Sequence, residues 1–138
     1  MFKKASLMLL TLTTLQIQTL TAEEFDGAWH LRVMDGMEVR KARAILEFDM
    51  QKMKIEGFDA CNRISGALIK NSDTNLTAPL LMSTRMSCRG KMQNWVSIRL
   101  QETLKEGFSM KEEEKYGVEG ITLKSPSHEL FFKRMERD

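Results

Sequence analysis

The stretch "ARAILEFDMQKMKIEGF", residues 42 to 58, decides the fold class. Ala44, Leu46, Phe48 and Met50 fall on one side of a two-residue period, and Arg43, Glu47 and Asp49 on the other. Ile45 is the single mismatch. Met53 and Ile55 then continue the apolar side, and Lys52, Lys54 and Glu56 the polar side. Alternation of this kind marks half-buried strands, here two neighbours joined by a tight turn near Gln51.

The pattern extends outward in both directions. "AWHLRVM" (28–34) sets Trp29, Leu31 and Val33 against His30 and Arg32, and Asp35-Gly36 supplies a turn. "SGALIKN" (65–71) reads as a short strand. "NLTAPLLM" (75–82) reads as another, irregular at Pro79, which suits an edge or a bulge. The period then changes. From Arg89 to Glu106, Met92, Trp95, Val96, Leu100 and Leu104 recur at three- and four-residue spacing, as on an amphipathic helix. Ser87 is the expected N-cap and Gly107 the expected stop. "FSMKEEEKY", "GITLKS" and "HELFFKRM" restore the two-residue period. Strands, one helix and strands again predict an α+β fold: a mainly antiparallel, curled sheet or partial barrel with one amphipathic helix packed on it.

Residues 1 to 22 read differently. Lys3 and Lys4 precede an uncharged stretch from Ala5 to Ala22, and Glu23-Glu24 follow, the layout of a signal peptide cleaved after Ala22. Seven threonines and glutamines dilute the stretch, so it is a poor permanent anchor. If it is retained, residues 5 to 22 would hold the chain to a membrane. After cleavage the expectation is a periplasmic or secreted domain, 23 to 138, with no stable membrane span. The leader carries two of the 21 basic residues and no acid, so the remainder is formally neutral against 19 acidic residues. That balance argues against a nucleic-acid partner, which demands a clustered positive face.

Export gives the two cysteines a meaning. In an oxidising compartment Cys61 and Cys88 are expected to pair, and closing that loop would stabilise the fold by roughly 3.5 kcal/mol. The sequence around them, "GFDACNRISG" and "STRMSC", resembles the signature of the META domain family, in particular its HslJ-like members. The matching residues are Gly57, Cys61, Asn62, Gly66, Thr84, Arg85, Met86 and Cys88, with Trp29 and Leu31 in the opening strand. The resemblance covers Phe25 to Arg134. It implies a compact antiparallel fold with one helix, a link to envelope stress tolerance, and no transferable catalytic mechanism. Several bacterial members are lipoproteins, whereas this chain has no lipid-attachment cysteine.

The motif residues read as architectural. Asn62 suits a turn, Gly57 and Gly66 allow close strand passage, and Arg85 has the donor geometry for an anion or carboxylate. Other chemistry is weaker. His30 and His128 are the only histidines available to a cysteine nucleophile, and both are expected to face solvent. Zinc on Cys61, Cys88, His30 and His128 lacks close ligand spacing. Met34/Met37, Met50/Met53 and Met82/Met86 suggest copper(I), but Met50 and Met53 fall on apolar strand faces. Glu112-Glu113-Glu114 alternate sides of a strand and are not a catalytic pair. Asn75-Leu76-Thr77 is a glycosylation sequon only in a eukaryotic pathway. The expectation is therefore a monomeric, non-enzymatic domain without cofactor or metal. Its partner would be an envelope protein, or alternatively an apolar ligand or lipidated tail in a groove between sheet and helix.

Overall fold

The computed structural model describes residues 22 to 136. The signal-peptide reading of residues 1 to 22, apart from Ala22 itself, lies outside the described residues. A short helix, α1 (Ala22–Phe25), leads into β1 (Gly27–Met34) and β2 (Met37–Glu38), followed by a 3-10 turn at Arg40–Ala42. Next come β3 (Ile45–Asp49), β4 (Lys54–Phe58), β5 (Arg63–Ala67), β6 (Ile69–Lys70), β7 (Asn75–Thr77) and β8 (Met82–Ser83). The main helix α2 (Lys91–Glu106) precedes β9 (Phe108–Lys115), β10 (Val118–Lys124) and β11 (Glu129–Arg134).

The strands form one eleven-stranded antiparallel sheet in the order β6-β7-β9-β10-β11-β1-β3-β4-β5-β8, with β2 beside β1. β6 ends this path and β5 lies next to its other end, yet only Leu68 separates the two strands in sequence. The sheet must therefore curl into a partial barrel so that one chain segment reaches both ends. Leu68 is buried, and its N–H donates to Met53 O at 2.8 Å, which fixes the bend. The expected fold class is the observed one.

The core is filled. Leu31, Leu46, Ile55, Phe108, Ile121 and Phe132 from the sheet, and Val96, Leu100 and Leu104 from α2, have no exposed surface. The helix end is stitched to β7: Ala78 N donates to Leu104 O at 2.7 Å, and Thr77 Oγ1 to Lys105 O at 3.1 Å. These bonds satisfy carbonyls that a helix terminus leaves open. Gly107 ends α2 as expected, its N–H reaching Thr103 O at 3.3 Å.

Five local expectations are corrected. "SGALIKN" is not one strand; it divides at Leu68 into β5 and β6. "NLTAPLLM" likewise divides into β7 and β8, because Pro79 has no N–H to donate to a ladder and the chain turns there. α2 begins at Lys91 with Gly90 as N-cap, not at Arg89 with Ser87. Pairing of β8 with β5 and the Thr84–Arg63 bonds keep the chain before Cys88 extended. Met92, expected on the buried face, is 37% exposed, in a first turn whose residues are exposed or half-buried. Finally, Val33 is only half-buried while Met34 is fully buried, because the register of β1 on β11 slips between Leu31 and Val33. This β-bulge at Arg32 reverses the alternation.

Candidate functional site

The two cysteine stretches meet at one corner of the barrel. After β4, Asp59 is fully buried, and its Oδ1 accepts from Cys61 N at 2.9 Å and Asn62 N at 2.7 Å. A carboxylate that bonds two backbone amides ahead of it closes an Asx turn. Its other oxygen accepts from Gln101 Nε2 at 2.7 Å, tying the turn to α2. Ala60, between them, takes a left-handed φ of 88°.

Asn62 then bridges to the second stretch. Its Oδ1 accepts from Thr84 Oγ1 at 3.2 Å and from Met86 N. Thr84 Oγ1 in turn accepts from Arg63 N at 3.1 Å, and Thr84 N donates to Arg63 O at 3.0 Å. Cys61 and Cys88 are joined by a disulfide with Cα atoms 4.7 Å apart, inside the usual range. Gly57 serves close passage: a Cβ there would lie 2.1 Å from Ile45 O on β3. At Gly66 a Cβ would meet Leu81 Cα at 3.4 Å. Arg85 is exposed, and its side chain has no hydrogen-bond or ion-pair partner among the described residues.

Residues 82 to 87 are exposed without a break. Met82 and Met86 are 66% and 62% exposed. With Ile45, Phe58 and Ile64 they line an open depression of about 1050 Å³ on the outer surface of β3, β4, β5 and β8. Arg43 and Arg63 stand at its margin together with Glu47 and Glu56. A largely apolar, mixed-charge depression on a braced loop can bind.

The remaining chemical candidates are placed elsewhere. With both sulfurs bonded, neither a cysteine nucleophile nor thiolate ligands for zinc are present. Among the described residues, no group of three or more His, Cys, Asp or Glu is arranged to hold a metal ion. Met34 and Met50 are core residues, and the Met82/Met86 pair is the one that lies together on the surface depression. Glu113 is hydrogen-bonded by Thr122 and paired with Lys115 at 3.2 Å. The Thr122 hydroxyl, then Lys115 and Lys111, outweigh partial burial and hold its carboxyl below the usual range.

Both histidines depart from the expectation of solvent exposure. The His128 side chain is 10% exposed, with Nδ1 2.7 Å from Asp35 Oδ2 and Nε2 2.7 Å from Glu102 Oε2. Burial works to lower its pKa, but the bonds to Glu102 and Asp35 prevail and raise it above the ordinary 6.5. With both nitrogens engaged, the ring acts as a clamp between α2 and the β1–β2 turn. His30 is half-buried, and burial, then Arg32, Arg40 and Arg43, lower its pKa. Sequence reasoning also missed Asp59 and Gln101. An Asp two residues before a Cys in a turn was the available signal for the first; Gln101 carried none.

Comparison with known proteins agrees with this arrangement. The sequence model of the META domain matches residues 13 to 136. One solved structure, determined by NMR, is 30% identical over 83% of this chain and 94% of its own, with a TM-score of 0.66. A second NMR structure, of a protein from Burkholderia xenovorans, is 20% identical over 84% of this chain and 87% of its own, with a TM-score of 0.61; that likeness is one of fold. No curated protein matches the sequence.

Proposed function

The chain belongs to the META domain family, and from that premise we propose an exported, non-enzymatic domain that supports envelope stress tolerance by binding another envelope component. In this reading the leader is removed after Ala22 and the domain acts as a monomer in the periplasm or outside the cell. The disulfide supports an oxidising compartment. No helix among the described residues is long and apolar enough to cross a membrane.

The observation that carries the reading is the depression lined by Met82, Met86, Phe58 and Ile45, displayed on a loop braced by Cys61–Cys88 and Asn62. Methionine is a pliant surface for binding, and an apolar patch kept exposed by a rigid frame is typical of a protein-contact site. The alternative, a carrier with its ligand between sheet and helix, finds that space occupied by Val96, Leu100 and Leu104.

Affinity capture from an envelope extract tests the proposal, with the wild-type protein and a Met82→Lys/Met86→Lys variant run side by side. The expected result is a protein retained by the wild type and lost by the variant. A component retained equally by both would place binding elsewhere. Apolar ligand in the eluate, retained equally by both, would return the carrier reading.

A further inference from the structure

We propose that His30, Arg32, Arg40 and Arg43 form an anion site on the outer face of β1 that takes a phosphate-type oxyanion. The site borders the apolar depression, which Arg43 also lines, but the proposal does not rest on the function argued from that depression.

Three local irregularities converge here. β1 slips its register on β11 between Leu31 and Val33, leaving Arg32 as the extra residue of a bulge. Bulges commonly re-aim a side chain beside a functional surface. The chain then doubles back through β2 and the 3-10 turn, with Val39 N donating to Arg32 O at 2.9 Å, which lays Arg40 beside β1. Arg43 leaves that turn with a left-handed φ of 58°, a conformation unusual outside glycine and asparagine. His30 and Arg32 stand two residues apart on β1, and Leu31 N donates to Ala44 O at 2.9 Å, which sets Arg43 next to the same strand.

The charges there are poorly balanced. Among the described residues, Glu38 is the one acid that pairs with any of them, approaching Arg40 Nε at 3.7 Å with both side chains more than 60% exposed. The Arg32 and Arg43 side chains have no ion-pair or hydrogen-bond partner among the described residues. Arg32 Nε is closed off from water without an acceptor. Buried donors are normally satisfied, and a guanidinium stripped of part of its hydration gains more from an anion than a fully wet one. Planar guanidinium forks suit the paired oxygens of a phosphate, and several of them around one point suit its charge. A bound anion would also offset the arginine charges that, after burial, disfavour protonation of His30.

The test follows the His30 ring by NMR in the purified protein. Its pH titration is recorded in sodium chloride and in inorganic phosphate at matched ionic strength, with His128 as internal reference. The expected result is a higher His30 pKa in phosphate than in chloride, with His128 unchanged. Arg43→Gln and Arg32→Gln should each weaken phosphate binding about tenfold, the size of one charge-assisted hydrogen bond. Arg32→Lys should recover part of the loss, since lysine keeps the charge without the fork. An unchanged His128 titration verifies that each variant is folded. Sedimentation with phosphatidylglycerol/phosphatidylcholine vesicles, against phosphatidylcholine alone, separates the sources. Retention on the anionic vesicles assigns a lipid headgroup, and a response to inorganic phosphate alone assigns a free phosphate. Equal His30 titrations in the two salts, or phosphate affinity unmoved by both glutamine variants, would overturn the site.

Discussion

The two ends of α2 are secured by different physics. At the C-terminal end, Leu100 and Leu104 are fully buried, Ala78 and Thr77 bond the last carbonyls, and His128 bridges Glu102 to Asp35. At the N-terminal end the N-cap Gly90 makes no side-chain cap bond, and six consecutive residues before it, 82 to 87, are exposed. There the chain is held by the Cys61–Cys88 bond and by Asn62 on Met86 N. Packing reinforced by hydrogen bonds holds one end, and a covalent tie reinforced by hydrogen bonds holds the other. A loop fastened without burial can keep apolar side chains on the surface, which is what a binding face needs.

That contrast can be strained from either side. Removing packing should cost most. Leu100→Ala is expected to destabilise by about 3–5 kcal/mol in denaturant unfolding, because the space behind a fully buried leucine on a helix locked to β7 cannot collapse. Removing the covalent tie comes next. Cys61→Ser/Cys88→Ser should lower stability by roughly 2–4 kcal/mol with an unchanged far-UV spectrum, since the sheet and helix do not depend on it. Loss of the fold in that variant would mean that the bond is part of the core architecture.

His128→Gln should cost about 1–2 kcal/mol, the scale of a charge-assisted hydrogen bond with a partly exposed partner. The sign of its pH dependence follows from the raised pKa. A protonated ring favours the folded state, so the contribution is complete below about pH 6.5, the unfolded value. It fades as pH climbs through the higher folded value. Stability curves of wild type and variant should therefore be furthest apart at acidic pH and converge in alkali; a gap that widened with pH would remove the clamp. His30, whose pKa is lowered, has the opposite sign: it takes stability away as pH falls below about 6.5. The smallest effect on stability belongs to Met86→Lys. It should change unfolding by less than about 0.5 kcal/mol, because the side chain is 62% exposed, while abolishing capture of the partner.

Much of this architecture is readable from the chain. The two-residue period of residues 42 to 58 places Leu46, Phe48 and Ile55 in the core, and the change of period after Cys88 places the single helix. Asn62 is legible as a turn residue and Cys61 with Cys88 as a pair. What stays hidden are the features set by contacts distant in sequence. The split at Leu68 depends on a sheet curling until its ends share a strand, which no local window contains. The bulge at Arg32 looks like ordinary alternation until β11 is laid beside it. His128 appears solvent-facing at the start of a strand, yet Asp35 and Glu102 reach it from 93 and 26 residues away. α2 starts three residues after the bonded Cys88, with Gly90 and not Ser87 at its N-cap.

Native-state hydrogen exchange, compared between oxidised and reduced protein, tests the central claim most directly. If the disulfide holds a loop that packing does not, reduction should accelerate exchange at residues 82 to 88 and 59 to 62. Amides from Leu100 to Glu106 and those of β9, β10 and β11 should keep their protection. A uniform rise across the whole chain would show that the bond stabilises the entire domain and that the two ends of α2 are not held differently. No change at the loop would show that Asn62 and Asp59 suffice without it.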